Sequence, residues 1–131
     1  MKYYENYKHS EITGEIIEAF YTVYNTLAYG FLEKVYENAL AIELRKKEKL
    51  VEKQKKIVVY YEQEQVGEYY ADLVVDNAII VEIKANEGLC EEHEYQLINY
   101  LKATEAEVGL LLNFGKSPEF RRKIFSNQFK Q

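Results

Sequence analysis

Three charged residues interrupt the most apolar part of the chain: Asp72, Glu82 and Lys84. Side chains alternate between the two faces of a β-strand, so Glu82 and Lys84 point the same way. A three-residue loop over residues 76–78 would place Asp72 opposite Glu82 on the neighbouring strand. A two-residue loop would send Glu82 to the other face. With an odd-numbered or bulged loop, the pattern predicts two carboxylates and one ammonium in one patch of sheet.

Such a patch has a chemical use. Two neighbouring carboxylates in apolar surroundings repel each other, which raises the pKa of one of them. A hard divalent cation such as Mg²⁺ removes the conflict, because it binds carboxylate oxygens and keeps several waters. A lysine one pleat further along could orient or help deprotonate such a water. The alternative is a buried ion pair that fixes strand register and binds nothing.

Bulk properties limit the class of protein. A chain of 131 residues is long enough for one domain with a core, and 47% hydrophobic and 30% charged residues are typical of a soluble globule. The net charge of −5 argues against a broad basic surface for duplex binding, although an acidic metal cluster would add to it. We see no apolar leader or membrane span and expect no membrane partner. Cys90 is the single cysteine, which fits a reducing cytoplasm.

Two helices are predicted before the charged strands. The first eight residues resemble a loose aromatic arm, and Ser10 could cap a first helix whose apolar residues recur every three or four positions. A second helix is predicted from about residue 32 to residue 49. Its apolar stripe consists of Leu32, Val35, Tyr36, Ala39, Leu40 and Leu44.

Strand-like and helical runs follow. Strands are predicted over residues 56–61, 66–75, 78–85 and 108–113, and helices over residues 91–103 and 119–129. The order ααβββαβ with a short tail predicts an α/β fold, with a mixed sheet and helices on both sides.

Further polar residues could border the charged patch. His93, Gln96 and Tyr100 share one face of the predicted third helix, where Gln96 and Tyr100 could bind phosphate or a metal-bound water. They could equally bond the backbone or solvent. Glu33 begins the second helix, where it could compensate the helix dipole or supply a third metal carboxylate.

Tyrosine is frequent, with 13 residues, and two tyrosine pairs lie in predicted strands. Tyr60, Tyr61, Tyr69 and Tyr70 fit ordinary strand packing. They could also form a stacking platform for single-stranded bases. These tyrosine-rich strands could supply a homodimer surface.

Three motifs together resemble a known family. Asp72 followed by Glu82-Ile83-Lys84 resembles the core of the PD-(D/E)XK nuclease superfamily. Gln96 to Tyr100 resembles the QxxxY element of one branch of it, and Gly30 to Tyr36 resembles the signature of the small GxxExxY family. The resemblance extends from about His9 to Gly115.

The resemblance implies a restriction-endonuclease-like αβββαβ core with an extra N-terminal helix. It implies that Asp72 and Glu82 bind Mg²⁺, with Mn²⁺ as a substitute, and that the Ile83 carbonyl is a further ligand. Lys84 would position the attacking water and Glu33 would be the first-helix carboxylate. The remaining implied site residues are Gln96 and Tyr100, which would brace the site.

The chain departs from the family pattern at two places. Ala28-Tyr29 stands where typical members have Gly-Pro, and Tyr70 stands where many have a basic residue before the Ala-Asp pair. The second change removes a phosphate contact that those members would make.

Three hypotheses follow. The first is a metal-dependent phosphodiesterase, a nuclease acting on DNA or RNA. The second is a catalytically weak or inactive module of the same fold that binds nucleic acid or a protein partner. The third is a purely structural charge cluster with no ligand.

Overall fold

The computed structural model describes residues 9–130, so the predicted N-terminal arm lies outside the described residues. Two helices come first, a three-stranded antiparallel unit follows, and a third helix leads to two final strands. In chain order the elements are α1 (Ser10–Leu27), α2 (Glu33–Lys46), β1 (Val51–Tyr61), β2 (Glu64–Val75), β3 (Ile79–Lys84), α3 (Glu91–Lys102), β4 (Val108–Phe114), β5 (Pro118–Ile124) and a 3-10 helix (Asn127–Phe129).

The strands form one mixed sheet in the order β1-β2-β3-β4-β5. Neighbours are antiparallel except β3 and β4, which are parallel and joined by α3 as a crossover. The α/β fold class and the mixed sheet are confirmed. Three residues, 76–78, join β2 to β3, and Val75 pairs with Ile79 as the loop argument requires.

Helices cover both faces of the sheet, as the sequence predicted. On one face α1 and α2 pack over an apolar cluster that includes Phe20, Leu40 and Leu110. On the other face α3 packs over a smaller cluster with its two predicted core residues, Leu97 and Leu101, fully buried. Because β3 and β4 are covered on both sides, nearly every side chain along them is buried.

The predicted closing helix over residues 119–129 is wrong. Residues 118–124 form β5, which pairs antiparallel with β4 from Val108↔Ile124 to Phe114↔Pro118. Only the 3-10 helix remains of the predicted helix. The charged residues of this segment have good helix propensity, but β4 is fully buried and its unpaired edge requires a partner strand.

Details of the first two helices also differ from the expectation. The N-cap of α1 is His9, not Ser10, and no side chain caps that end. The second helix ends at Lys46, and Leu32 from the predicted stripe is 82% exposed. The buried face of α2 instead includes Glu37, so the face that packs against the sheet contains a charged residue.

The connection between α1 and α2 is fixed by two residues. Gly30 has φ = 118°, a conformation that residues with a Cβ rarely adopt. The Tyr36 hydroxyl donates to the carbonyl of Ala28 at 2.6 Å and accepts from the Phe31 N–H at 3.1 Å. The Tyr36 ring stacks on Phe114 with centroids 4.3 Å apart.

Within residues 9–130, no helix is both long and apolar enough to cross a membrane.

Gly109 on β4 allows α3 to lie close to the sheet. A Cβ at this position would lie 2.6 Å from Leu97 Cδ1 and 2.9 Å from Leu97 Cγ. We expect Gly109→Ala to lower the free energy of unfolding by about 1–3 kcal/mol, because the fully buried Leu97 would have to shift. Urea unfolding measures this loss.

Gly14 in α1 is the matched control, because no atom lies within 4 Å of a Cβ added there. Gly14→Ala should raise the free energy of unfolding by about 0.5–1 kcal/mol through helix propensity. If both alanine variants changed stability in the same direction, the close approach of α3 to β4 would be wrong.

Candidate active site

The β2–β3 ladder ends one residue pair before the predicted charged patch. Its last pair is Leu73↔Val81, and the strands diverge beyond it. The Asp72 N–H donates to Glu82 Oε2 at 2.9 Å, and the Ile83 N–H donates to Asp72 Oδ2 at 2.8 Å. Two carboxylates therefore satisfy the backbone groups that the divergence leaves unpaired. The structure brings Asp72 and Glu82 together as the register argument predicted; we call them the acid pair.

The acid pair carries an electrostatic conflict. Burial, followed by the charge of Asp72, raises the pKa of Glu82 from 4.5 to about 8. Burial also raises the pKa of Asp72, although the hydrogen bond from the Ile83 N–H lowers it. Near neutral pH the two carboxyl groups therefore do not both ionise without a cation close by.

Lys84 does not resolve this conflict by direct pairing. It is half-buried at the end of β3, and its charge lowers the pKa of both acids. Of the ion pairs that residues 9–130 form within 4.0 Å, none joins Lys84 to either member of the acid pair. The side chains therefore do not form the buried Asp/Glu–Lys ion pair that was the structural alternative.

Gln96 and Tyr100 on α3 bond each other, with Gln96 Nε2 donating to the Tyr100 hydroxyl at 2.7 Å. Tyr100 is nearly buried, and burial raises its pKa first, followed by the charges of Glu82 and Asp72. The Tyr100 hydroxyl thus lies within electrostatic reach of the acid pair. His93 has a different task, because its Nδ1 accepts from the Cys90 N–H at 3.3 Å and caps α3.

Two glutamates of α2 approach the acid pair, and the sequence analysis considered one of them. Glu33 is exposed, and its charge contributes to the raised pKa of Glu82. Glu37 lies one turn later, is buried, and its charge contributes to the raised pKa of Asp72. The spacing of four residues from Glu33 was the signal that could have identified Glu37.

Glu37 is held by two donors, Lys34 Nζ at 3.0 Å and Gln54 Nε2 at 2.8 Å. The same Gln54 amide lies 3.4 Å from Asp72 Oδ1. Gln54 therefore joins the carboxylate of α2 to the acid pair. Gln54 could not be identified from the sequence, because it lies in a charged run with no glycine or other mark of irregular backbone.

The backbone at Gln54 is irregular. Its φ of 52° lies in the left-handed region, and it makes no ladder pair although both of its neighbours do. Leu73 packs in the cluster under α1 and α2, whereas Ala71 and Val74 pack in the cluster under α3. The regular alternation of side chains along β2 is thus interrupted beside Asp72.

The donor set fits a hard divalent cation. Within residues 9–130, no three His, Cys, Asp or Glu side chains are close enough to hold a metal by themselves. Two adjacent carboxylates remain, and Mg²⁺ is commonly held by one or two carboxylates, with waters or substrate phosphate as its other ligands. Burial and the charge of Asp72 raise the pKa of Glu82 to about 8, and a bound divalent cation would favour its ionised form.

Glu82→Gln tests the charge conflict. A pKa of about 8 in the folded chain, against 4.5 ordinarily, means that the folded chain binds this proton more tightly. The stability that this bound proton contributes is therefore fully present below pH 4.5 and is lost as the pH rises toward 8. In metal-free buffer the variant should gain on the order of 1–3 kcal/mol over the natural chain at the alkaline end.

Thermal unfolding across this pH range measures the difference. Glu64→Gln is the control, because Glu64 is an exposed carboxylate on the same sheet. A stability difference between Glu82→Gln and the natural chain that did not change with pH would contradict the assignment.

Gln54→Gly and Gln54→Ala test the backbone strain. Both variants remove the amide, but alanine keeps the steric cost of the left-handed conformation, about 1–2 kcal/mol. Glycine should therefore be the more stable variant by about 1 kcal/mol, the reverse of the usual order in a strand. Chemical denaturation of the two variants decides the sign, and alanine being the more stable would show that the left-handed conformation is not enforced.

Comparison with known proteins agrees with this architecture. The family model of the PD-(D/E)XK nuclease superfamily matches residues 10–123. The crystal structure of SSO0001 is similar, with a TM-score of 0.59 at 18% sequence identity, and the match covers 71% of this chain and 50% of that chain. The present chain thus spans half the length of that protein, and at this sequence identity the similarity shows the fold alone. A search of curated proteins finds no match. The chain belongs to the PD-(D/E)XK nuclease superfamily.

Proposed function

We propose that this protein is a metal-dependent phosphodiesterase, a nuclease acting on DNA or RNA. The observation that carries the proposal is the acid pair: a buried Glu82 and a half-buried Asp72, each accepting a backbone N–H from the strand of the other. The pKa of Glu82 is raised to about 8, and the nearby Lys84 forms an ion pair with neither carboxylate. The GxxExxY branch of the superfamily is the branch to which we assign the chain, on the residues from Gly30 to Tyr36.

Each residue of the site has a proposed role. Asp72 and Glu82 would hold Mg²⁺ or Mn²⁺, with the Ile83 carbonyl as a further ligand and Glu33 as a carboxylate reached through water. Lys84 would hold the attacking water by its ammonium group, in line with the leaving oxygen. The bound metal would polarise the scissile phosphate and lower the pKa of that water.

The bracing residues act through the acid pair. Gln96 Nε2 donates to the Tyr100 hydroxyl, which leaves the hydroxyl proton available for a phosphate oxygen in the proposed reaction. Glu37 fixes the Gln54 amide, and that amide limits the rotation of the Asp72 carboxylate. We propose Gln54 as a positioning residue and not as a catalytic one, because its amide contacts Glu37 and Asp72 and would act through Asp72.

A second candidate function is a catalytically weak module that binds nucleic acid or a protein partner. Two observations favour it. Both carboxylates of the acid pair already accept backbone hydrogen bonds, and Tyr70 stands where many relatives have a basic residue. Such a module would bind nucleic acid equally well with and without an ionised Asp72.

Cleavage of end-labelled DNA and RNA oligonucleotides discriminates between the two functions. We expect products with Mg²⁺ or Mn²⁺ and none with chelator. Asp72→Asn and Lys84→Gln should each lower the rate by at least about 10²-fold, since each removes a group that acts on the transition state. Glu64→Gln is the matched control and should cleave normally. Cleavage that persists in chelator would exclude the metal-dependent function.

Metal binding provides a readout without substrate. At pH 8, Mg²⁺ at 100 times its dissociation constant should raise the free energy of unfolding by about 2.7 kcal/mol. Asp72→Asn should lose this stabilisation although its amide oxygen can still accept from the Ile83 N–H. Stabilisation of the natural chain and the variant to the same degree would show that the metal binds elsewhere.

A further inference from the structure

We propose that a groove between the β1–β2 hairpin and α3 binds unpaired bases of single-stranded nucleic acid, and that single strands are therefore the substrate class. The inference rests on the proposed function. The groove lies between the β1–β2 hairpin, α3 and the C-terminal end of the described chain, and its volume is about 710 Å³. We call it the aromatic groove; its lining includes Tyr60, Tyr69, Asn99, Lys102, Phe129 and Lys130.

Three aromatic residues that line the aromatic groove are exposed to solvent. Tyr60 is 64% exposed, Phe129 is 65% exposed and Tyr69 is 49% exposed. Core packing therefore does not explain them, because each leaves about half or more of its surface in water. Bases stack on such rings, and every base has a π-face, so the contact tolerates any sequence.

The groove also supplies positive charge. Lys102 Nζ lies 5.5 Å from the centroid of the Phe125 ring and forms no ion pair within 4.0 Å among the described residues. Lys130 Nζ is held in place by the carbonyls of Thr104 and Ala106, at 2.9 and 2.7 Å. No Asp or Glu of the described chain lines this cavity. Rings with nearby ammonium groups complement a chain of bases joined by phosphates.

The groove leads toward the acid pair. A second cavity of about 300 Å³ shares Tyr69 and Asn99 with the aromatic groove and continues to Gln96 and Tyr100, with Glu92 also in its lining. The rings of Tyr69 and Tyr100 lie 5.5 Å apart. The Tyr100 hydroxyl in turn lies within electrostatic reach of Glu82 and Asp72. A strand stacked on Tyr60 and Tyr69 would thus run past Tyr100 toward the site of cleavage.

Charge favours a single strand over a duplex. The chain has a net charge of −5, and duplex binding depends on many phosphate contacts from lysine and arginine. Stacking on aromatic rings needs fewer cations, and in a duplex the base faces are not accessible. A second copy of this acidic chain would bring a further charge of −5 to the groove, which disfavours a homodimer at this surface.

Fluorescence anisotropy with labelled 12-nucleotide oligo-dT, oligo-U and a 12-base-pair duplex tests the proposal, in chelator and in the Asp72→Asn background. The single strands should bind more tightly than the duplex. Tyr60→Ala and Phe129→Ala should each weaken single-strand binding by at least about fivefold. Tyr61→Ala is the matched control, because Tyr61 is 66% exposed on the same hairpin but does not line the groove.

The salt dependence of binding tests whether Lys102 contacts a phosphate. Lys102→Gln should make the slope of log K against log salt shallower by about 0.7, the loss of one phosphate contact to a single strand. Lys46→Gln, which removes a surface lysine paired with Glu43, should leave the slope unchanged. A purely structural role for Lys102 would change the affinity but not the slope.

Three results would overturn the proposal: duplex binding as tight as single-strand binding, groove variants that behave like Tyr61→Ala, or a homodimer in sedimentation that Tyr60→Ala dissociates. Metal-dependent cleavage of duplex with no single-strand binding would reject the groove and keep the nuclease. Groove-dependent binding of single strands without any cleavage would keep the groove and reject the nuclease function.

Discussion

The structure depends on the divergence of β2 and β3 after Leu73↔Val81, where carboxylates replace the partner strand's carbonyls as hydrogen-bond acceptors. A continuous ladder would satisfy the Asp72 and Ile83 N–H groups without any side chain. Because side chains do this instead, two like charges are fixed beside each other in a nearly buried position. Burial then raises the pKa of Glu82 to about 8. The same arrangement that completes the backbone hydrogen bonds thus creates a demand for positive charge.

Much of this could be predicted from the sequence. A three-residue loop and the two-residue period of strands were enough to place Asp72 opposite Glu82, because register is a matter of counting. The alternation itself fails beside Asp72, where Gln54 adopts a left-handed conformation that residue type does not favour. β5 was missed for a related reason: its helix-forming residues become a strand because the buried β4 needs a partner, a requirement that no local pattern records.

The segment from Gly30 to Tyr36 combines residues with structural roles and residues with proposed chemical roles. Gly30 permits a backbone angle of 118°, and Tyr36 closes the α1–α2 connection and stacks on Phe114. These two residues specify the fold and would persist in a protein without activity. Glu33 is exposed and has no such structural duty in the described contacts. A match to the signature therefore supports the architecture, whereas the argument for hydrolysis depends on the acid pair and Lys84.

The position of the acid pair explains how an acidic protein could act on a polyanion. The site opens where the strands diverge, α2 approaches it with Glu37 and α3 approaches it with Tyr100. In the proposed function, carboxylates without a cation would disfavour the approach of phosphate, and a bound cation would reverse this local charge. Metal binding would then precede phosphate binding, and the aromatic groove would hold the strand by stacking, a contact that the net charge of −5 does not oppose.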